Sequence, residues 1–469
     1  MKRFRMTLES KMSYQQKEVS NSMSVKLENM DCVKTHSQET GVNMEHKNIV
    51  ATIFLKNGNA VKSAEDLTVI DDVIHLAKLY NDSGIDKIIV FDLSDDDEEH
   101  EKNIHTIKNI NRNVEIKVCA GGNIKRFEDV KKLIYAGCLQ VILNGAKPIS
   151  IELAEEASKR FGKDRVLVSV QNIDFVFKHQ EVMNEYFHEL LVLNKKMLDP
   201  IENITDLPYV VWFDDCDYEA IVSDLKRNNI RGIAGNFINE PTTDIMELKA
   251  QLSAFGIKMD NFEPALSWSD LKVNSDGLVP VVVQDYRTNE VLMVAYMNEE
   301  AFDTTINSGK MTYFSRSRNE LWIKGMTSGH IQYVKSLTAD CDFDTILAKV
   351  SQVGVACHTG APSCFFNDIV KKEYVEKNPL KILEDVYNVI LDRKEHPKEG
   401  SYTNYLFDKG IDKILKKVGE ECTEIVIAAK NPDPEEIKYE ISDFLYHCMV
   451  LMAEKGVTWE DITQELSQR

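Results

Sequence analysis

No stretch of this chain approaches the roughly 18 consecutive apolar residues that a bilayer-crossing helix requires, so no membrane span is expected. The opening MKRFRMTLES has no apolar centre, so a secretory signal is not expected either. Positive charge is scarce: 56 Lys and Arg stand against 76 Asp and Glu, a formal charge of −20. That deficit argues against a nucleic-acid binder held by counterion release. It leaves room for small phosphorylated substrates, which need only a few local cations or a bound metal. Cysteine is sparse and odd in number, nine in 469 residues. Such usage argues against a disulfide scaffold and suits a reducing cytoplasm, where cysteines serve as buried hydrophobes or metal ligands.

What remains is ordinary globular material, 43% hydrophobic and 28% charged, at a length that predicts about three domains. Residues 1–47 are polar and aperiodic and are expected to form a disordered tail, with Met44 as an alternative start. Acidic Glu9, Glu18, Glu28 and Asp31 make a transit peptide the weaker alternative. Over 48–262 eight short apolar runs (IVATIFLK, KIIVFDL, EIKVCAG, QVILN, VLVSV, ELLVLN, YVVWFD and GIAGNF) alternate with helical periods. Eight βα units of this kind predict a (βα)8-type barrel, with a doubtful helix between the fifth and sixth strands. Over 266–370 turn dipeptides such as Asp276-Gly277 separate β-rich runs, which predicts a small α+β domain of mainly antiparallel strands. KKEYVEKNPL, 371–380, reads as a charged linker. Over 381–469 the pattern is helical and Asn431-Pro432-Asp433-Pro434 breaks it, which predicts an αα-hairpin in a helical bundle that a second chain could complete.

Asp340-Cys341-Asp342-Phe343-Asp344 is the first run that carries chemistry. If extended, it puts Asp340, Asp342 and Asp344 on one side and Cys341 on the other. Three carboxylates on one face repel one another unless a cation sits there, and oxygen donors favour Mg²⁺. Cys357 and Cys364 follow; with Cys341 they make three thiolates and an open fourth position, the donor set of a catalytic zinc site. Taken alone, the three cysteines are equally well explained as buried thiols. Zinc would acidify a bound water, and His358, next to Cys357, is a candidate general base. Upstream, Arg316, Arg318, Trp322, Lys324, Ser328 and Gly329 combine cations, an indole and flexible backbone, a mixture suited to a ribose phosphate and a purine. A surface hairpin with scattered charges is the plainer alternative.

GLVPVVVQD, MVAYMN, FSRSRNELWIKGMTSG, DCDFD, ACHTG and SCF together resemble the phosphoribosyl-AMP cyclohydrolases of histidine biosynthesis. The resemblance implies Mg²⁺ on Asp340, Asp342 and Asp344, and Zn²⁺ on Cys341, Cys357 and Cys364 with ligands drawn from both chains of a homodimer. It implies hydrolytic opening of the purine six-membered ring. His330 departs from the polar residue usual after TSG.

On a helix, Glu420, Glu421 and Glu424 share one face by i, i+3 and i, i+4 spacing, and Glu440 and Asp443 do so on the next helix. Across a hairpin these five could converge on Mg²⁺ bridging a polyphosphate, with Lys413, Lys416, Lys417 and Lys430 near the phosphates. Either helix alone is as well read as a solvated acidic face. The string GSYTNYLFDKGIDKILKKVGEECTEIVIAAKN resembles the phosphoribosyl-ATP pyrophosphatases, an all-α family. That resemblance implies hydrolysis of phosphoribosyl-ATP to phosphoribosyl-AMP and pyrophosphate, with Ser401, Thr403 and Lys417 as candidate substrate contacts. The two domains would then run consecutive steps of one pathway.

IFLKNGNAVKSAEDL and VCAGGNIKRFEDVKKLIYAGCLQVIL resemble, more loosely, the cyclase and isomerase barrels of the same pathway. Those barrels use an aspartate at the end of the first strand, where this chain has Phe54, and a second near Gln171 or Asn172. One phosphate loop partly survives as Gly121-Gly122-Asn123-Ile124, and the other reads Phe213-Asp214-Asp215-Cys216. The expectation is a catalytically inactive barrel, since phenylalanine is neither acid nor base. Two other functions compete: a general nucleoside triphosphate pyrophosphohydrolase with a structural zinc module, and a metal-stabilised scaffold.

Overall fold

The structure, a computed structural model, describes residues 46–372, 381–432 and 434–467. The expected tail therefore lies outside the described residues except for His46 and Lys47, as does most of the linker. β1 (Asn48–Lys56) leads into a short hairpin, β2 (Asn59–Val61) and β3 (Val69–Asp71), and then α1 (Val73–Asp82). β4 (Lys87–Asp92), α2 (Asp97–Asn113), β5 (Lys117–Gly121), α3 (Phe127–Tyr135), β6 (Gln140–Asn144), α4 (Ser150–Phe161) and β7 (Val166–Val170) alternate strictly. Two short helices, α5 (Asp174–Lys178) and α6 (Gln180–Tyr186), resolve the connection that the sequence left doubtful. β8 (Glu189–Val192), α7 (Leu198–Glu202), β9 (Tyr209–Phe213), α8 (Tyr218–Leu225), β10 (Ile230–Gly235), α9 (Asn236–Asn239) and α10 (Ile245–Ala254) complete the unit.

β10 pairs in parallel with β1, Asn48 opposite Gly232 and Val50 opposite Ala234, which closes an eight-stranded barrel. The strand alternation divides the apolar side chains between two cores. One residue from each strand (Val50, Ile89, Cys119, Ile142, Leu167, Leu191, Val210 and Ala234) fills the barrel interior. Their neighbours, such as Ala51, Ile88 and Val141, pack outward against the helices. The β2–β3 hairpin was not foreseen; three-residue strands are too short to show an alternation.

The second domain builds a four-stranded sheet from β11 (Val279–Asp285), β12 (Val291–Met297), β15 (Gln332–Ala339) and β16 (Ile346–Gln352), in the order β12-β11-β16-β15. All neighbours are antiparallel except the central β11–β16 pair. Between β12 and β15 lie α11 (Glu299–Ser308) and a separate hairpin, β13 (Thr312–Ser315) with β14 (Glu320–Ile323). Lys335 of β15 ties this domain to the barrel through Asp82 at 3.2 Å and Glu115 at 3.1 Å. Ser351 of β16 adds a hydrogen bond to Asp82 of 2.8 Å.

The last domain is helical: α12 (Ile382–Glu395), α13 (Tyr402–Lys409), α14 (Ile411–Ala428), α15 (Pro434–Lys455) and α16 (Trp459–Ser467). Tyr387, Ile390, Leu406, Ile414, Met449 and Val450 form its core. Leu415, Val426, Ile427, Tyr439 and Ile441 remain exposed on α14 and α15. Among the described residues, no helix is long and apolar enough to cross a membrane.

Candidate functional site

The acidic run at 340–344 is a turn rather than an extended strand. Phe343 takes a left-handed backbone, φ 64°, and Asp340 accepts hydrogen bonds from the backbone N–H of Asp344 at 3.0 Å and of Thr345 at 3.2 Å. An aspartate that satisfies backbone donors two to five residues ahead makes a turn in preference to a ladder. The turn nonetheless brings Asp340, Asp342 and Asp344 together, each offering an oxygen within 4.8 Å of the others. Partial burial works to raise the pKa of Asp340, but the N–H groups of Thr345 and Asp344 outweigh it and hold the carboxyl below its usual range. All three side chains are exposed.

Cys357 opens a tight loop in which Gly360 donates to the Cys357 carbonyl at 3.1 Å. The Thr359 hydroxyl donates to the Cys357 sulfur at 3.1 Å and is the first cause of a lowered thiol pKa there. Cys364 is fastened by its backbone N–H to the Leu292 carbonyl at 2.7 Å, at the start of β12. The two sulfurs share a hydrogen bond, and burial followed by that bond raises the pKa of Cys364. Lys324 is buried beside them: burial lowers its pKa, and the charges of Cys364 and Cys357 oppose that. Cys341 is exposed on the acidic turn. Among the described residues of one chain, it forms no group with Cys357 and Cys364 close enough to share a metal.

A cavity of about 810 Å³ is lined by Met293, Tyr296, Tyr313, Arg316, Arg318 and Trp322. Arg316 stacks its guanidinium on the Tyr296 ring at 3.9 Å. Arg318 pairs with Glu320 at 3.2 Å, and Trp322 packs against Tyr313 at 5.5 Å. Ser328 and Gly329 are exposed in the following turn, where Ser328 accepts from the His330 N–H at 3.3 Å. His358 is exposed, with Nδ1 3.9 Å from the Cys357 sulfur.

In the helical domain three of the five expected carboxylates converge. Glu421 and Glu424 of α14 and Glu440 of α15 each offer an oxygen within 4.8 Å of the others. Glu420 turns away to Lys417 at 2.9 Å and Lys416 at 3.4 Å, and Asp443 lies exposed outside the group. Successive residues on a helix point about 100° apart, so Glu420 and Glu421 cannot both face α15. Glu421 is 4% exposed; Lys417 approaches it at 3.4 Å. Ser401 caps α13 by accepting from the Asn404 N–H at 3.4 Å, and the buried Thr403 hydroxyl bonds the Tyr446 hydroxyl at 2.7 Å.

Sequence reasoning missed His447, Tyr402 and Tyr446. His447 is buried, with Nδ1 3.5 Å from Glu421 and Nε2 3.0 Å from the Tyr402 hydroxyl. The only signal was a histidine four residues after Asp443 inside the apolar run FLYHCMVLM, a pattern more often explained by core packing.

In the barrel, Phe54 stacks on Phe91 at 6.0 Å and meets Trp212 edge-on at 6.5 Å, so aromatic rings occupy the carboxyl ends of β1, β4 and β9. Asp214 accepts from the Trp212 indole at 3.2 Å. Gly122 has a packing reason: its φ is +87°, and a Cβ there would lie 2.2 Å from the Asp92 carbonyl.

Three family models match the chain: phosphoribosyl-AMP cyclohydrolase over 293–366, phosphoribosyl-ATP pyrophosphohydrolase over 383–469, and histidine biosynthesis protein over 48–197. The chain is similar to the histidine biosynthesis bifunctional protein HisIE of Thermoanaerobacter pseudethanolicus, 54% identical over 209 residues, 42% of this chain and 97% of that protein. The HisIE of Caldanaerobacter subterraneus subsp. tengcongensis is 52% identical over 200 residues, 43% of this chain and 96% of its own length. That of Bacillus subtilis is 45% identical over 200 residues, 43% of this chain and 95% of its own length. Nearly all of each relative is matched by less than half of this chain, so the barrel is a domain they lack.

Proposed function

Because the chain belongs to the family of bifunctional histidine biosynthesis proteins, a hydrolase with cyclohydrolase and pyrophosphohydrolase domains, we propose that its two sites act in sequence. The helical domain hydrolyses phosphoribosyl-ATP to phosphoribosyl-AMP and pyrophosphate, and the middle domain then opens the purine ring of phosphoribosyl-AMP. The observation that carries the first step is the convergence of Glu421, Glu424 and Glu440 from two facing helices, one of them buried. Like charges so placed are costly without a divalent cation, and an all-oxygen donor set fits Mg²⁺. When bound, Mg²⁺ supplies charge neutralisation to the polyphosphate. Lys417 stands beside the cluster, where its ammonium can meet a phosphate oxygen.

In the middle domain, Asp340, Asp342 and Asp344 make a second all-oxygen group that suits Mg²⁺. Cys357 and Cys364 supply two sulfurs, one held toward the thiolate by Thr359, which suits zinc. When bound, zinc supplies Lewis acidity that activates water. The third sulfur is Cys341 of a second copy, which makes the active form a homodimer. Arg316 is pre-ordered on Tyr296 to hold a phosphate, Trp322 offers a face to the base, and His358 is within reach to move a proton.

The test is a coupled assay of the full chain from phosphoribosyl-ATP, with zinc and magnesium counted by metal analysis. Cys357→Ser is expected to abolish ring opening while pyrophosphate release stays within about twofold of wild type. Cleavage of ordinary nucleoside triphosphates with no turnover of phosphoribosyl-ATP would overturn the assignment.

The barrel is non-catalytic in this proposal, because Phe54 and Gln171 stand where proton-transferring carboxylates are needed. A further isomerase activity is the second possibility, favoured by the family match over 48–197.

A further inference from the structure

The pyrophosphohydrolase cluster has a buried histidine that the proposed chemistry does not use. His447 is 4% exposed and sits on α15, one turn after Asp443. Its Nδ1 lies 2.9 Å from the Asp443 carbonyl, which can only accept, so Nδ1 carries a hydrogen and donates. Its Nε2 lies 3.0 Å from the Tyr402 hydroxyl. In the neutral ring Nε2 accepts, so Tyr402 O–H donates to it. Tyr402 is the first residue of α13, 45% exposed, and stacks on Tyr405 at 6.2 Å and Tyr446 at 6.4 Å. The imidazole therefore bridges a half-exposed tyrosine and the carboxylate cluster.

The contact with the cluster is specific to one oxygen. His447 Nδ1 stands 3.5 Å from Oε1 of Glu421, and Lys417 Nζ stands 3.4 Å from the same atom. Two positive or hydrogen-bearing groups on Oε1 fix the rotation of the carboxylate and leave Oε2 as the oxygen for a cation. A buried carboxylate without such partners would be free to turn or to take up a proton. Metal ligands held by a neighbouring donor lose about 10- to 100-fold in metal affinity or activity when that donor is removed.

We propose that His447 is a positioning residue that orients Glu421 for a divalent cation and couples that carboxylate to Tyr402 at the start of α13. This rests on the assignment of Glu421, Glu424 and Glu440 to the pyrophosphohydrolase site. Tyr402 adjoins Ser401 and Thr403, so the bridge joins the cluster to the turn that the sequence marks for substrate.

The experiment uses the full chain and Mn²⁺ alone as the probe, with free Mn²⁺ counted by electron paramagnetic resonance. His447→Leu is expected to raise half-saturation of the helical-domain site about tenfold. His447→Asn keeps a donor near the Nδ1 position and is expected to stay within about threefold of wild type. His447→Gln places its amide near the Nε2 position, keeps Tyr402 but not Glu421, and is expected to behave like His447→Leu. Ring opening from supplied phosphoribosyl-AMP serves as the folding control. Unchanged Mn²⁺ binding in all three variants overturns the proposal, and so does an equal loss in all three with a lowered melting temperature, the mark of a structural role alone. Glu421→Gln separates the two levels. If it binds Mn²⁺ and releases pyrophosphate like wild type, the underlying site assignment fails. If it loses both while the His447 variants bind normally, only the positioning role fails.

Discussion

At the residue scale, buried polar groups act through what they face. His100 is buried at the barrel top, with Nδ1 on Asp92 in a very short contact and Nε2 3.8 Å from Asp129. The hydrogen bond to Asp92 raises its pKa, burial opposes this, and the charges of Asp92 and Asp129 reinforce the rise. A histidine whose folded pKa lies above its ordinary 6.5 contributes stability that is full below that value and is lost as pH rises through the folded pKa. His100→Leu is therefore expected to cost about 3 kcal/mol in acid, where two carboxylates lose their cation, and less in alkali. Urea unfolding at about pH 5.5 and about pH 8.5 checks the direction, and an equal penalty at both would remove the charge argument. Cys357 shows the same logic at an active site: the Thr359 hydroxyl on its sulfur favours the thiolate that a metal needs.

At the element scale, local periodicity explains which carboxylates meet. Glu421 and Glu424 fall on the side of α14 that packs against α15, whereas Glu420 is claimed by Lys416 and Lys417 one turn back. The acidic run at 340–344 was readable as a cation site but not as a turn, because the Asp340 side chain competes with the ladder for the backbone N–H groups. The barrel strands were readable almost to the residue, since QVILN and VLVSV are bounded by turn signals and carry β-branched side chains. Their carboxyl ends were readable in identity but not in packing. Phe54, Phe91 and Trp212 gather there from strands far apart in sequence. The full chain, given the ring-opened product, is expected to show no isomerisation above the uncatalysed rate. Clear isomerisation would establish the barrel as a third active site.

At the scale of the whole molecule, the two sulfurs of one chain are one short of a catalytic zinc set. If Cys341 comes from a second copy, Cys341→Ser and Cys357→Ser are each inactive in ring opening but complement one another. Random pairing makes half the dimers mixed, and each mixed dimer retains one intact site of two, so co-expressed variants should recover about a quarter of wild-type ring opening. Activity no higher than either variant alone would place all three ligands within one chain. The exposed Leu415, Val426, Ile427, Tyr439 and Ile441 are a second face that a symmetric partner would cover. The barrel is not loosely tethered: Lys335 and Ser351 anchor it to the middle domain, and Arg112 reaches Asp461 of α16 at 3.0 Å.

The sequence by itself determined the three-part order, the strand alternation, the donor types at both metal groups and the loss of carboxylates from the barrel mouth. All of these depend on residue identity and short-range spacing, which the chain carries locally. Only the tertiary structure decided that Glu421 and not Glu420 joins Glu440, that Cys341 stands apart from Cys357 and Cys364, and that His447 bridges Tyr402 to Glu421. Those relations depend on how helices rotate and turns fold against elements distant in sequence, where burial and hydrogen-bond competition outweigh local pattern.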